Sequence, residues 1–203
     1  MSKETHLSES IDYYLSLISP WSYLGHERLQ KMAREYGTEI KVHPVDLSII
    51  FPATGGIPLP KRSLQRIEYR MQELIRWRDH LKLPLTLNPR HFPVRDRQAA
   101  IMVVNLREQD PAAATDLAGA LLRAVWVEER DISDQETLLT IARENNQDGN
   151  ELLSNPARCE NTIAKDTEEA VSRGIFGAPS YVYRDQIYWG QDRLDFLYRS
   201  LAR

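Results

Sequence analysis

The sequence predicts an α/β protein in which the two ends of the chain share one sheet and a long helical insertion separates them. Three observations carry this. Residues 11–44 read as strand, helix, strand, and residues 181–201 as strand, strand, helix; between them, apolar residues recur at helical spacing. Neither flank could bury a core alone, so each supplies what the other lacks.

Ile11, Tyr13, Leu15 and Leu17 alternate with Asp12, Tyr14 and Ser16, the period of two that sends alternate side chains to opposite faces of a strand. The pattern stops at Ser19-Pro20. From Ser22 to Tyr36, Leu24, Leu29, Met32, Ala33 and Tyr36 keep roughly helical spacing, and Gly37 suits the left-handed turn that ends a helix. Ile40 and Val42 then alternate with Glu39, Lys41 and His43 as a second strand, with Pro44 near its end.

The middle of the chain changes character. Pro52-Ala-Thr-Gly-Gly-Ile-Pro-Leu-Pro60 reads as loop or extended chain, crowded with residues that break regular structure. After it, Leu64, Ile67, Met71, Leu74 and Ile75 form a helical stripe, and further helices are expected near 97–108, 112–127, 134–145 and 156–173. Ser133 with Glu136 matches a capping box, Asn155-Pro156 an N-cap followed by proline, and Gly174 a helix stop.

At the end, Tyr181–Tyr183 is a short strand, Arg184-Asp185 a turn, Ile187–Trp189 a second strand, and a final helix runs from about Asp192 to Leu201. A βαβ…ββα core interrupted in this way is a thioredoxin-like layout. Residues 8–46 and 175–203 would form the discontinuous thioredoxin-like domain, and residues 47–174 a helical insertion domain.

Hydrophobic residues make up 42% of the chain and charged residues 27%, enough for a packed core under a polar surface. The formal charge of −3 argues against a nucleic-acid partner, which usually demands net positive charge. No apolar run approaches the roughly 20 residues that span a bilayer, and residues 1–10 lack the apolar stretch of a secretion signal. Cys159 is the only cysteine, so the chain holds no internal disulfide and no dithiol couple; a cytoplasmic location is the simplest reading. The five histidines show no metal-ligand spacing, so no metal is expected, and no phosphate-binding glycine loop occurs.

Three short stretches carry possible chemistry. Ser19-Pro20-Trp21-Ser22 joins the first strand to the first helix, where free backbone N–H groups and the helix dipole favour an anion. Ser19 reads equally as an ordinary cap ahead of an N1 proline. Gly177-Ala178-Pro179-Ser180 precedes the third strand; the general preference of X–Pro bonds points to trans there. Gly190-Gln191-Asp192-Arg193-Leu194 opens the last helix, with Asp192 either its cap or a ligand for charged groups, and with Asp195 in the first turn. Cys159, inside an expected helix, reads as a packing residue.

Ser-Pro-Trp-Ser-Tyr-Leu-Gly (19–25), Gly-Ile-Phe-Gly-Ala-Pro (174–179) and Trp-Gly-Gln-Asp-Arg (189–193), in this order on these elements, resemble the 2-hydroxychromene-2-carboxylate isomerases and the kappa-class glutathione transferases of the DsbA-like thioredoxin superfamily. Pro44-Val-Asp-Leu47 and Pro89-Arg-His-Phe-Pro-Val94 extend the likeness, and favour the isomerases. The resemblance implies that Ser19 replaces the attacking cysteine of redox relatives and hydrogen-bonds the sulfur of bound glutathione. It implies a cis Pro179, pairing of the Ala178 backbone with the cysteinyl main chain of glutathione, and a grip on the γ-glutamyl end by Gln191 and Asp192. The thiolate would add transiently to an unsaturated carboxylate substrate and leave after bond rotation. A homodimer is implied as well.

The chain departs from that pattern after the second strand. Many relatives carry Gly-Ile-Met-Lys and then Gly-Asn; here stand Ser48-Ile-Ile-Phe51 and Gly55-Gly56. Lys61 or Arg62 would offer a substitute cation, or simply face solvent. Arg90, His91 and Arg95 would bind a substrate carboxylate or only decorate a loop. Two other functions stay open at this point: a kappa-like transferase or peroxidase that consumes glutathione, and a glutathione-binding protein without catalysis.

Overall fold

The computed structural model describes residues 10–203; the expectations for residues 1–9, including a domain starting at residue 8 and the lack of a secretion signal, lie outside the described residues. Four strands form one sheet: β1 (Ser10–Leu15), β2 (Glu39–Pro44), β3 (Ser180–Tyr183) and β4 (Gln186–Trp189), in the order β2-β1-β3-β4. β1 runs parallel to β2 and antiparallel to β3, with Tyr13 opposite both Val42 and Tyr181. β3 and β4 pair as a hairpin whose two turn residues, Arg184 and Asp185, both have positive φ, the geometry a tight two-residue turn requires. The two ends of the chain thus build one sheet, as the periodicity anticipates.

Helix α1 (Pro20–Tyr36) ends at Gly37, at φ 62°, and packs Leu24, Leu29 and Met32 into the core. Between β2 and β3 come α2 (Leu47–Thr54), a 3₁₀ turn (Leu59–Lys61), α3 (Leu64–Leu81), α4 (Arg97–Arg107), α5 (Pro111–Trp126), α6 (Gln135–Glu144), α7 (Gly149–Leu152) and α8 (Pro156–Ser172). A second 3₁₀ turn (Gln191–Arg193) leads into α9 (Leu194–Leu201). The larger core joins Ile11, Tyr13 and Leu15 of β1 to α1, α4 and α5; a smaller one covers the other sheet face, where Tyr14 meets Val45, Ile50, Ala170, Ile175 and Val182. Both faces of β1 are therefore buried at Tyr13 and Tyr14, while its one charged residue, Asp12, is matched by His43 and Arg173.

Three local expectations are corrected. Residues 47–54 form a helix through Pro52: the Asp46 carboxylate accepts the Ser48 amide at 2.8 Å, Ile50 is fully buried, and the helix is short enough to tolerate one missing N–H. Asp134, not Ser133, caps α6, accepting the Thr137 amide at 2.9 Å, while Ser133 turns back to Asp131. Asp192 does not cap α9; it lies in the 3₁₀ turn and its carboxylate accepts from Arg193 at 2.7 Å.

A charged network ties the helices to the sheet. His43 on β2 sits between Asp12 of β1 (3.2 Å) and Asp166 of α8 (3.4 Å). Arg107 of α4 donates to Asp166 at 2.7 Å and to the Val42 carbonyl at 2.9 Å, and Arg173 donates to Asp12 at 2.8 Å. Burial alone would lower the His43 pKa, but hydrogen bonds to the two carboxylates outweigh it and Arg107, and raise it. Burial likewise pushes Asp12 and Asp166 up, and their cationic partners bring both below the ordinary carboxylate range.

Candidate active site at the start of the first helix

The chain leaves β1, turns at Ser16–Ile18 and enters α1 at Ser19. The Ser19 Oγ accepts the Ser22 amide at 3.2 Å and its carbonyl accepts the Tyr23 amide at 3.1 Å, so the cap is complete. Pro20 has no N–H, and the Ser19 amide itself donates to Ser16 O at 3.0 Å. The Trp21 amide, second in the helix, has no intrahelical acceptor by its position. The anion-attracting groups expected here thus narrow to one amide, the dipole of a seventeen-residue helix and the Ser19 hydroxyl. Ser22, in the first turn of α1, is fully buried and does not line the cleft described next.

Ser19 and Trp21 form one wall of a cleft of about 790 Å³, mostly apolar. Ala178 also lines this cleft, and the Ala178–Pro179 bond is cis, as is Phe92–Pro93. The loop around Pro179 is braced from three directions. Its carbonyl accepts the Gly190 amide at 2.8 Å, Ser180 Oγ donates to Gly177 O at 2.7 Å, and Trp189 packs so close to Gly177 that a Cβ there would meet Nε1 at 2.7 Å. The helical region contributes Phe51, Pro58, Arg62, Ile67, Arg70, Phe92, Arg95, Asp96 and Arg97 to the same lining.

Of the residues singled out from the sequence, Ser19, Ala178, Arg62 and Arg95 share this cleft. Pro179 is buried directly behind Ala178. Gln191 is buried beside α1, where Arg28 donates to its side-chain oxygen at 3.0 Å and to its carbonyl at 3.2 Å; Asp192 is exposed next to it. Lys61 is exposed at the end of the first 3₁₀ turn, and His91 faces Asp131 at 3.6 Å; neither lines the cleft. Cys159 is buried in α8, where burial raises its thiol pKa, so it is no nucleophile in waiting.

Two cleft residues escape a reading by motif. Arg70 lies on α3 three residues after Ile67 and four before Leu74, on the inward side of the helix. A cation interrupting an otherwise apolar stripe was the available signal. Asp96 opens α4 without capping it, and burial in the cleft wall, with Asp46 nearby, pushes its pKa up to about 6 despite backbone N–H groups of its own and Leu17. Among the described residues no cluster of three metal-ligating side chains occurs, and no helix is long and apolar enough to cross a membrane.

Comparison with known proteins adds to this geometry. Residues 10–202 match the DSBA-like thioredoxin domain family. A 2-hydroxychromene-2-carboxylate isomerase from Sphingobium xenophagum is 33% identical over 195 residues, covering 94% of this chain and 97% of the relative. A solved structure of a 2-hydroxychromene-2-carboxylate isomerase superposes with a TM-score of 0.80 at 27% identity, over 95% of this chain and 94% of the other. Glutathione S-transferase kappa 1 of Homo sapiens is more distant, 24% identical over 221 residues, with 97% and 92% covered.

Proposed function

The chain belongs to the DSBA-like thioredoxin domain family, among the 2-hydroxychromene-2-carboxylate isomerases, and from that premise we propose that it is a glutathione-dependent isomerase of unsaturated 2-oxo or 2-hydroxy carboxylates. The observation that carries this reading is the Ser19 hydroxyl, at the head of α1 on the wall of an apolar cleft. Its oxygen spends one lone pair on the Ser22 amide, which leaves its proton to donate.

Bound glutathione would supply a thiolate that adds reversibly to a conjugated substrate and departs unchanged. The chain's own part is to hold that sulfur as an anion and to orient the partner. Ser19 Oγ–H donates to the sulfur, while the Trp21 amide and the α1 dipole favour its negative charge. The Ala178 main chain meets the cysteinyl backbone from the adjoining wall, with cis Pro179 setting its direction. Gln191 and Asp192 hold the γ-glutamyl end: Arg28 takes only the Gln191 side-chain oxygen, leaving its amide N–H groups for a carboxylate, and the Asp192 carboxylate, also paired with Arg193, takes the ammonium. Arg62 and Arg95, on the cleft lining, take the substrate carboxylate, with Lys61 and His91 as further candidates outside that lining. The apolar lining keeps water from the conjugated system. A homodimer and a reducing cytoplasm complete the proposal.

The test is incubation with glutathione and 2-hydroxychromene-2-carboxylate. Substrate should isomerise while the glutathione concentration stays constant, and omission of glutathione should stop turnover. Depletion of glutathione would favour the transferase or peroxidase chemistry of the kappa relatives; binding without turnover of any conjugated 2-oxo acid would favour a non-catalytic role.

A further inference from the structure

Among the described residues, the partly buried arginines are, with two exceptions, matched by acids. Arg28 pairs with Asp195, Arg107 with Asp166, Arg130 with Glu128 and Glu144, and Arg173 with Asp12 and Glu169. The exceptions, Arg62 and Arg70, both line the cleft that Ser19 lines. Neither forms an ion pair with a carboxylate. Arg62 is fixed by its Nε, which donates to Ile57 O at 2.8 Å, so its terminal nitrogens remain for another acceptor. Arg70 has its guanidinium 6.0 Å from the centroid of the Phe92 ring, which also lines the cleft, an arrangement that orients the cation without neutralising it. Both have their pKa lowered by burial, Arg62 also by Arg66 and Arg70 also by Arg62.

Two like charges withdrawn together from water are unfavourable unless an anion joins them. A mostly apolar cleft that carries two such cations suits a ligand with an apolar body and a negatively charged group. A planar guanidinium beside an aromatic ring is matched to a planar carboxylate conjugated to a flat hydrocarbon. We infer that Arg70, with Arg62, is the specificity-determining anion site of the cleft, and that it selects substrates bearing a carboxylate conjugated to an aromatic or unsaturated plane. This inference rests on the isomerase reading for its location but not for its chemistry. It adds an arginine on α3, Arg70, to the carboxylate role given above to Arg62 and Arg95.

The probe is trans-cinnamate, with the neutral cinnamamide as its control, titrated calorimetrically into the wild-type protein, Arg70→Gln, Arg70→Lys and Arg62→Gln. Glutathione is titrated in parallel. Wild-type protein should bind cinnamate in the millimolar range or tighter, and cinnamamide at least about tenfold more weakly. Arg70→Gln should weaken cinnamate by about tenfold to a hundredfold, leave cinnamamide unchanged and leave glutathione binding unchanged. Arg70→Lys should recover part of the loss, because charge returns without the planar fork. Equal binding of acid and amide, an unaltered cinnamate affinity in Arg70→Gln, or no cinnamate binding by wild-type protein would overturn the inference. Should cinnamate behave as stated while glutathione fails to bind, the anion site stands and the glutathione-dependent function falls.

Discussion

Ser19 Oγ accepts the backbone amide of Ser22 at 3.2 Å, and Ser19 lines the cleft, so one residue both closes a helix and adjoins the proposed ligand. The two roles do not compete, since capping uses a lone pair and donation uses the proton.

Ser19→Ala should therefore have two separable effects. Loss of the cap should cost about 1 kcal/mol of stability, read from chemical denaturation. Loss of the donor should raise the pKa of bound glutathione by about one to two units, read from thiolate absorbance across pH. Ser19→Thr, which keeps the hydroxyl, should restore most of both. A thiolate titration identical in all three proteins would remove Ser19 from the chemistry and leave it a cap.

His43, raised above its ordinary value of 6.5, stabilises the fold most when protonated. Its contribution is full below 6.5 and is lost as pH rises through the folded pKa. Asp12 and Asp166, lowered from 3.8, contribute above that value and lose their effect as pH falls through their folded pKa values. The cluster thus holds most strongly between 3.8 and 6.5. His26 acts in the opposite sense: complete burial pushes it down to about 4, so it costs stability as pH falls below 6.5. The informative quantity is the difference between wild type and His43→Gln. That gap in denaturation midpoint should be wide near pH ~5.5 and narrow on the alkaline side; a gap independent of pH would mean that His43 does not titrate in the network.

Asp96 titrates from an unfavourable place. Its folded pKa of about 6 exceeds the ordinary 3.8, so the penalty is absent below 3.8, grows as pH rises through the interval and is complete above about 6. Asp96→Asn should consequently be more stable than wild type at neutral and alkaline pH, with the advantage fading in acid. Thermal unfolding across pH measures this, and a wild type equal to the variant at pH ~8 would show the carboxylate to be well solvated.

Gly119 on α5 touches the His26 imidazole of α1: a Cβ at Gly119 would lie 2.6 Å from Nε2. Gly119→Ala should destabilise by about 1–3 kcal/mol even though alanine favours helix, because overpacking a closed interface outweighs propensity. Pairing it with His26→Ala should return much of the loss, since the obstructing ring is then gone. Simple additivity of the two losses would count against this contact.

The elements that could be read directly are those where burial and periodicity agree. β1, α1 and the closing ββα follow from alternating or helical apolar residues and from local stop signals such as Gly37. α2 could not be read, because Pro52 and the glycines after it speak against a helix; Ile50 packing beneath Tyr14 overrides them. Asp192 likewise looked like a helix cap, and only the packing of Gln191 against α1 fixes a 3₁₀ turn there. The candidate site was half legible. Ser19 and Ala178 sit in motifs whose spacing is local, whereas Arg70 reaches the cleft only because α3 folds back over it.

From its sequence alone this protein had its strand and helix periods, its βαβ…ββα order, its single buried-type thiol and its serine at the head of the first helix. Those are properties of neighbours along the chain, set by side-chain spacing and capping chemistry. Tertiary structure alone decided which cations share the cleft with Ser19, that the Gln191 side-chain oxygen is taken by Arg28, and that His43 stands between two carboxylates. Each of these joins residues from different elements, and no local pattern encodes a distance that only the packing of separate elements creates.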